Sequence, residues 1–283
     1  MIAFFGMGLL GSNFVRALQK RGEAVHVWNR TGDKARALEG AGVTAFADPA
    51  EAVRGAARLH LTLSDDAAVD DVLERARPGV GPGLVIVDHT TTSATGTAAR
   101  AARWAERGVA FQHAPVFMGP VNALEGTGLM LASGERARFD ALEPALSAMT
   151  GKLVYLGEQP ERAAGMKLLG NSFLIAMTAG LADTFALAKA LAIPPREAGS
   201  LFDLFNPGLL LPMRVKRILD EEFDSPSWEL AMARKDARLM LEEAARAQVP
   251  LAVLPAVAEE MDRWLARGHE KRDWTVIASD ALH

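Results

Sequence analysis

Short apolar runs recur through the first half of the chain, and the segments between them are long enough to hold helices. Ile2–Phe5, Ala24–Trp28, Arg58–Leu63 and Leu84–Asp88 read as strands. The run Val85–Asp88 does not alternate apolar with polar positions, which marks a strand covered on both faces by helices. The pattern predicts an α/β unit, a doubly wound parallel sheet in a β-α-β series. Val109–Gln112, Gly128–Ala132 and Leu153–Leu156 are read as further strands closing the domain.

Beyond about residue 160 the β pattern stops. The remainder reads as helices interrupted at Pro194-Pro195, Asn206-Pro207-Gly208, Ser225-Pro226 and Pro250, so the expected domains are 1–160 and an all-α 161–283. Ala163 to Leu191 contains no proline and reads as one long interdomain helix, on the order of 44 Å at ~1.5 Å per residue. It is apolar nearly all round. Such a helix is expected to be buried on most sides, against the sheet domain and a second subunit, which predicts a homodimer or homotetramer through the helical domain.

Composition removes several function classes. A chain of 283 residues with 49% hydrophobic positions builds a full core, and a net charge of -4 provides no footprint for nucleic acid. With no cysteine there is no disulfide or thiolate metal site, and six histidines without paired spacing leave no metal centre to expect. The uncharged run 2–15 lacks a preceding basic region, and Leu168–Ala182 is shorter than a bilayer span of ~18–20 residues. The expectation is a cytoplasmic protein without a membrane segment, acting on a small molecule.

Gly6-Met7-Gly8-Leu9-Leu10-Gly11 follows the first strand directly and opens a helix. In that setting the spacing has a mechanism: a tight turn, close approach of backbone to a pyrophosphate, and close packing of helix on strand, with helix amides facing the anion. The first domain is therefore expected to be a Rossmann dinucleotide-binding unit. NAD enzymes place Asp or Glu at the end of the second strand to hold the ribose 2′-hydroxyl. Here Asn29-Arg30-Thr31 and Lys34 stand instead, a neutral hydrogen-bonder, a guanidinium, a hydroxyl and a second cation, which suit a 2′-phosphate and predict NADP (NADPH). Leu63 and Ser64, at the end of the third predicted strand, are placed beside the same cofactor.

Lys167 and Asn171 stand four residues apart on one face of the long helix, with Gly165 leaving room nearby. Read from the residues alone, two roles remain open. A desolvated lysine has a lowered pKa and suits proton transfer in alcohol–carbonyl chemistry. Alternatively, Lys167 snorkels from an apolar helix to water while Asn171 caps a neighbouring group.

The ordered set Gly6–Gly11, Asn29-Arg30-Thr31, Asp88-His89-Thr90-Thr91, Ala114-Pro115-Val116, Gly165/Lys167/Asn171 and Lys235-Asp236 resembles the β-hydroxyacid dehydrogenases, which include 3-hydroxyisobutyrate dehydrogenase and, more remotely, 6-phosphogluconate dehydrogenase. The resemblance covers essentially the whole chain. It implies hydride transfer between a small β-hydroxy acid and its semialdehyde or keto form, with Lys167 as acid/base and Asn171 as its orienting partner. It also implies that Thr91 contacts substrate or nicotinamide ribose, that Thr90 replaces a serine, that Trp228 packs over the dinucleotide and that Lys235 reaches toward it. His89 is left as surface or pocket lining. One stretch departs from the family: where relatives carry Ser-Gly-Gly to grip the substrate carboxylate, this chain has Phe117-Met118-Gly119, which leaves the backbone near Gly119 as the expected anion grip. Imine reductases, which share the architecture and have more apolar pockets but usually replace the lysine, are the alternative. A non-catalytic NADP-binding protein is the third reading.

Overall fold

The computed structural model describes residues 1–283 as two compact units, Met1–Ser172 and Phe173–His283. In the first, strands β1 (Ile2–Phe5), β2 (Val25–Trp28), β3 (Val43–Ala45), β4 (Arg58–Leu61), β5 (Val85–Asp88) and β6 (Ala110–His113) form one sheet in the order β3-β2-β1-β4-β5-β6. All five pairings are parallel. The Rossmann expectation is met, and the strand order reverses at β1 and β4, where loops diverge and open a crevice. β3 has only three residues and is not legible as an apolar run.

The residues of β1 show why the sheet is two-sided. Ile2 and Phe4 pack with Phe14, Val15 and Leu18 of helix α1 (Leu9–Lys20), while Ala3 and Phe5 join a separate cluster on the other face with Leu59, Leu61 and Ile86. Short helices α2 (Gly32–Arg36) and α3 (Pro49–Val53) follow β2 and β3. Helices α4 (Asp66–Ala76) and α5 (Ala94–Glu106) complete the second face, contributing Val69, Val72, Leu73 and Trp104. The fully buried Arg100 on α5 ties the two together through Asp66 (2.9 Å) and Asp70 (2.7 Å) on α4.

The later strands are present as expected, divided between two sheets. β8 (Leu129–Ala132) and β9 (Lys152–Tyr155) do not close the main sheet but form a second one with β7 (Val116–Phe117), in the order β7-β8-β9. The cause is Pro115, which has no N–H to give to a ladder; the chain turns there and its carbonyl accepts from Leu131 of the new sheet. Helices α6 (Pro120–Glu125) and α7 (Arg136–Ser147) flank this sheet.

The long helix α8 runs Arg162–Ala190, within a residue of its expected bounds, and the division into units falls inside it rather than at 160/161. Ser133 fixes its start, accepting from the Ala163 amide at 2.9 Å while donating to the Pro160 carbonyl. The expectation of burial on most sides fails for the single chain. Leu169 and Ile175 are 67% and 71% exposed, and Phe173, Leu174 and Met177 are also open. By length and hydropathy the helix would suffice to cross a membrane. Its polar residues are nevertheless used within the protein: Asp183, for instance, accepts the amides of Ala252, Val253 and Leu254.

The rest of the second unit is α9 (Pro195–Leu204), α10 (Leu211–Leu219), α11 (Leu230–Arg246) and α12 (Leu254–Ala266), with a core of Phe223, Leu230, Met261, Trp264 and Val276. It contains no strand, as expected.

Candidate active site

The loops leaving β1, β2 and β4 enclose a cleft of about 310 Å³, and those leaving β1, β4, β5 and β6 enclose a second of about 370 Å³. Both are walled by Gly8, Thr62, Leu63 and Ser64, so they are two ends of one groove in the first unit.

At the shared centre the glycine loop is shaped by β4. Gly6 has φ +96°, and a Cβ there would stand 2.2 Å from the Thr62 carbonyl oxygen; at Gly11 it would stand 1.9 Å from the Gly6 carbonyl oxygen. Neither position admits a side chain. A Cβ on Gly8 meets nothing within 4 Å, so at this residue the bare backbone faces open groove. Gly8 caps α1 with no side-chain partner for the first-turn amides, and no acidic residue stands in that turn, the arrangement that suits a bound phosphate.

The first end collects Arg30, Thr31 and Lys34 beside Trp28. Thr31 sits at the N-cap of α2, yet its side chain makes no cap bond and is left for a ligand. Asn29 lines this end as expected and has a further part: its Oδ1 accepts from the Met7 amide (2.9 Å) and its Nδ2 donates to the Thr31 carbonyl (2.9 Å), so it braces the glycine loop from β2. Arg75 on α4, which sequence reasoning missed, also lines this end, its guanidinium 5.1 Å from the centroid of the Trp28 ring. No motif flags it. Open backbone at Gly8, free helix amides and three cations fit a nicotinamide dinucleotide.

The second end is bounded by His89, Thr90, Thr91, Val116, Met118 and Lys167. Lys167 is only 8% exposed, and burial lowers the pKa of its ammonium; Nζ donates to Asn171 Oδ1 at 2.9 Å. The lysine is thus buried and partnered rather than snorkelling. Thr90 Oγ1 accepts the Leu63 amide (2.9 Å), and its own amide is held by Asp88 Oδ1 (2.9 Å), linking the loops after β4 and β5. Thr91 is exposed at the rim.

His89 is buried. Its Nδ1 lies 2.7 Å from the Ala114 carbonyl, which can only accept, so Nδ1 carries the proton and Nε2 accepts from His60 Nδ1 at 3.0 Å. Desolvation holds His89 down to about 4 and His60 well below its ordinary value, so both are neutral near pH 7. This pair pins the start of the β6–β7 loop from beneath.

Two substrate-loop expectations are corrected. Phe117 is not in the wall of the groove; its ring lies over Lys167, with Nζ 3.9 Å from the ring centroid. The Gly119 amide is not free to grip an anion, because it donates to Asn122 Oδ1 at 2.9 Å. Met118 does line the groove, packed against the core. Trp228 and Lys235 belong to the second unit, where Trp228 packs edge-on to Trp274 and Lys235 pairs with Asp236 at 2.7 Å.

Residues 1–157 match the family model of the NAD binding domain of 6-phosphogluconate dehydrogenase. The chain belongs to the β-hydroxyacid dehydrogenase family. It is an oxidoreductase of that family, and its first unit is a nicotinamide dinucleotide-binding domain. The 3-sulfolactaldehyde reductase of Escherichia coli is 28% identical over 98% of this chain and 94% of its own. Human cytokine-like nuclear factor N-PAC is 28% identical, with this chain spanning about half (51%) of its length. An imine reductase from Myxococcus stipitatus, solved with NADP+, has the same fold at a TM-score of 0.91 over 98% of both chains and 19% identity. A variant of that enzyme was solved with NAD+.

Proposed function

We propose that this chain is an NADP-dependent dehydrogenase/reductase of the 3-hydroxyisobutyrate dehydrogenase type, interconverting a small β-hydroxy acid or alcohol with its semialdehyde, aldehyde or keto form. The observation that carries the reading is the placement of Lys167, buried and bonded to Asn171, in the wall of the same groove that holds the open backbone of Gly8. A nicotinamide dinucleotide bound along this groove supplies or accepts the hydride. The residues of the chain do the rest.

In the reducing direction the Lys167 ammonium gives one proton from Nζ to the carbonyl oxygen as that oxygen gains the electron pair of the C=O π bond. The product is the alcohol and a neutral lysine. Burial makes the ammonium a stronger acid than an exposed lysine, and Asn171 Oδ1 holds its orientation by taking one of the other N–H bonds. Thr91 offers a hydroxyl to the substrate at the rim. At the other end, Arg30 and Lys34 supply charge and Thr31 a hydroxyl for a 2′-phosphate, and the one carboxylate in that lining, Asp71, stands 3.9 Å from the Arg75 guanidinium. The Escherichia coli relative, named as an aldehyde reductase, accords with the reading. The test is NADPH oxidation over a panel of aldehydes, α- and β-keto acids and cyclic imines; no turnover of any member would refute it.

Imine reduction is the second reading, favoured by the apolar Phe117 and Met118 and by a structural neighbour that is an imine reductase. The retained lysine favours the first. The exposed apolar residues of α8 support a homodimer or homotetramer, checked by sedimentation of the intact chain. A cytoplasmic location remains part of this proposal.

A further inference from the structure

Three observations in the first unit converge on Lys167. The Phe117 ring faces its ammonium, with Nζ 3.9 Å from the centroid. Gly170, one turn along the helix from Lys167, makes room for that ring: a Cβ there would stand 2.3 Å from Phe117 Cζ. The donors with which this stretch was expected to grip an acid are gone, since residue 117 has no hydroxyl and the Gly119 amide is spent on Asn122.

We propose that Phe117 is a positioning residue for the proton donor: its ring takes up the Lys167 ammonium in the place of a substrate carboxylate, and the site accepts carbonyl compounds that carry no carboxylate close to the reacting carbon. The inference rests on the reading of Lys167 as the acid and, of the two substrate classes in that reading, keeps the alcohols with their carbonyl partners and sets aside the β-hydroxy acids.

The physics is that of a cation on an aromatic face. The ring's negative face attracts the ammonium without hydrogen-bonding to it, and the attraction grows as water is excluded. Burial alone favours the neutral amine. Asn171 and the ring together offset that cost, and they are the two groups that meet Nζ. A substrate carboxylate brought to this end would meet an ammonium already covered on one side and too few donors to replace its hydration, which disfavours it. A neutral aldehyde, ketone or imine carries no such cost.

Two measurements test this. In protein labelled with ¹³C at lysine Cε, the Lys167 resonance is identified by its loss in Lys167→Met and titrated without any substrate. Phe117→Leu keeps the apolar cover and removes the ring face, so the titration midpoint should fall by roughly half to one pH unit, while Phe117→Tyr should leave it unchanged. An unmoved midpoint in Phe117→Leu overturns the proposal.

The second measurement compares pentanal with 4-oxobutanoate, aldehydes of similar length with and without a carboxylate. The wild type should favour pentanal in kcat/KM by tenfold or more. Phe117→Ser should move the ratio tenfold to a hundredfold toward 4-oxobutanoate, mainly through KM. A wild type that prefers 4-oxobutanoate, or a ratio that Phe117→Ser leaves flat, overturns the proposal. Turnover that depends on Lys167 with a flat ratio refutes only the role of Phe117, whereas Lys167→Ala with less than a tenfold loss refutes the acid reading itself. If neither aldehyde is reduced, the titration still decides whether Phe117 holds the charge.

Discussion

The two ends of the groove are built from different materials. Where the dinucleotide's phosphates would lie the determinants are backbone, with the cations Arg30, Lys34 and Arg75 farther along: Gly6 and Gly11 are excluded from bearing side chains by the carbonyls of Thr62 and Gly6, and Gly8 leaves the helix amides open. At the carbonyl end they are side chains from segments far apart in sequence, Lys167 and Asn171 from α8 against Phe117 and Met118 from the β7 loop. The first admits almost no substitution at Gly6 and Gly11, where a Cβ would meet a carbonyl oxygen. The second is free to vary, which is where one member of a family can differ from the next.

The largest expected effect breaks the carbonyl end and spares the other. Lys167→Ala should lower turnover by roughly 10²–10⁴, the usual worth of a general acid/base, with NADPH affinity by fluorescence titration unchanged. A matching loss of affinity would show that the ends are not separable. Next, Arg30→Ala with Asn29→Asp should weaken NADPH about tenfold to a hundredfold and leave NADH nearly untouched, since a charge-assisted bond is lost and a repelling carboxylate gained. The carboxylate introduced in that variant still offers an oxygen to the Met7 amide but has no hydrogen to donate to the Thr31 carbonyl, so NADH affinity in the same variant, and Arg30→Ala alone, show how far the loop keeps its brace.

A smaller effect concerns the histidines beneath the carbonyl end. His60, His89 and His113 all have pKa values lowered by burial, His89 to about 4 and His113 to about 3. A group depressed in the folded state stabilises above its unfolded pKa of ~6.5 and loses that contribution as pH falls toward the folded value. Asp88, raised to about 6 by desolvation, acts oppositely between about 6 and its ordinary value of 3.8. Three groups against one predict that urea midpoints fall between pH 7 and pH 5. His60→Phe should make that fall smaller, and an unchanged pH dependence would contradict the neutral pair. The smallest effect is at Lys34, which is solvent-exposed; Lys34→Ala should cost NADPH binding less than about fivefold, the range of an exposed ion pair.

The same division explains what is legible in the sequence. β1, β2, β4 and β5 stand out as apolar runs because both sheet faces are covered, and the glycine spacing after β1 has one purpose. α8 is placed to a residue because nothing between Ala163 and Ala190 breaks a helix. The second sheet is not separable from the first, because an apolar strand does not say which ladder it joins; only Pro115 marks the turn. Lys167 and Asn171 are visible as a helical i, i+4 pair. That Phe117 lies on Lys167, that Asn122 consumes the Gly119 amide, and that Arg75 lines the far end depend on tertiary placement, and no local pattern encodes them. Asn29 is legible at the right place, but its bracing bonds to Met7 and Thr31 are visible only once β1 and β2 lie side by side.

The central claim is hydride transfer along this groove to a carbonyl or imine carbon. The most direct test is turnover with NADPH carrying deuterium at C4 of the reduced nicotinamide, each face labelled in turn, followed by mass analysis of the product. The account predicts one deuterium on the former carbonyl or imine carbon from one labelled face and none from the other. Product formed without deuterium from either face would contradict it.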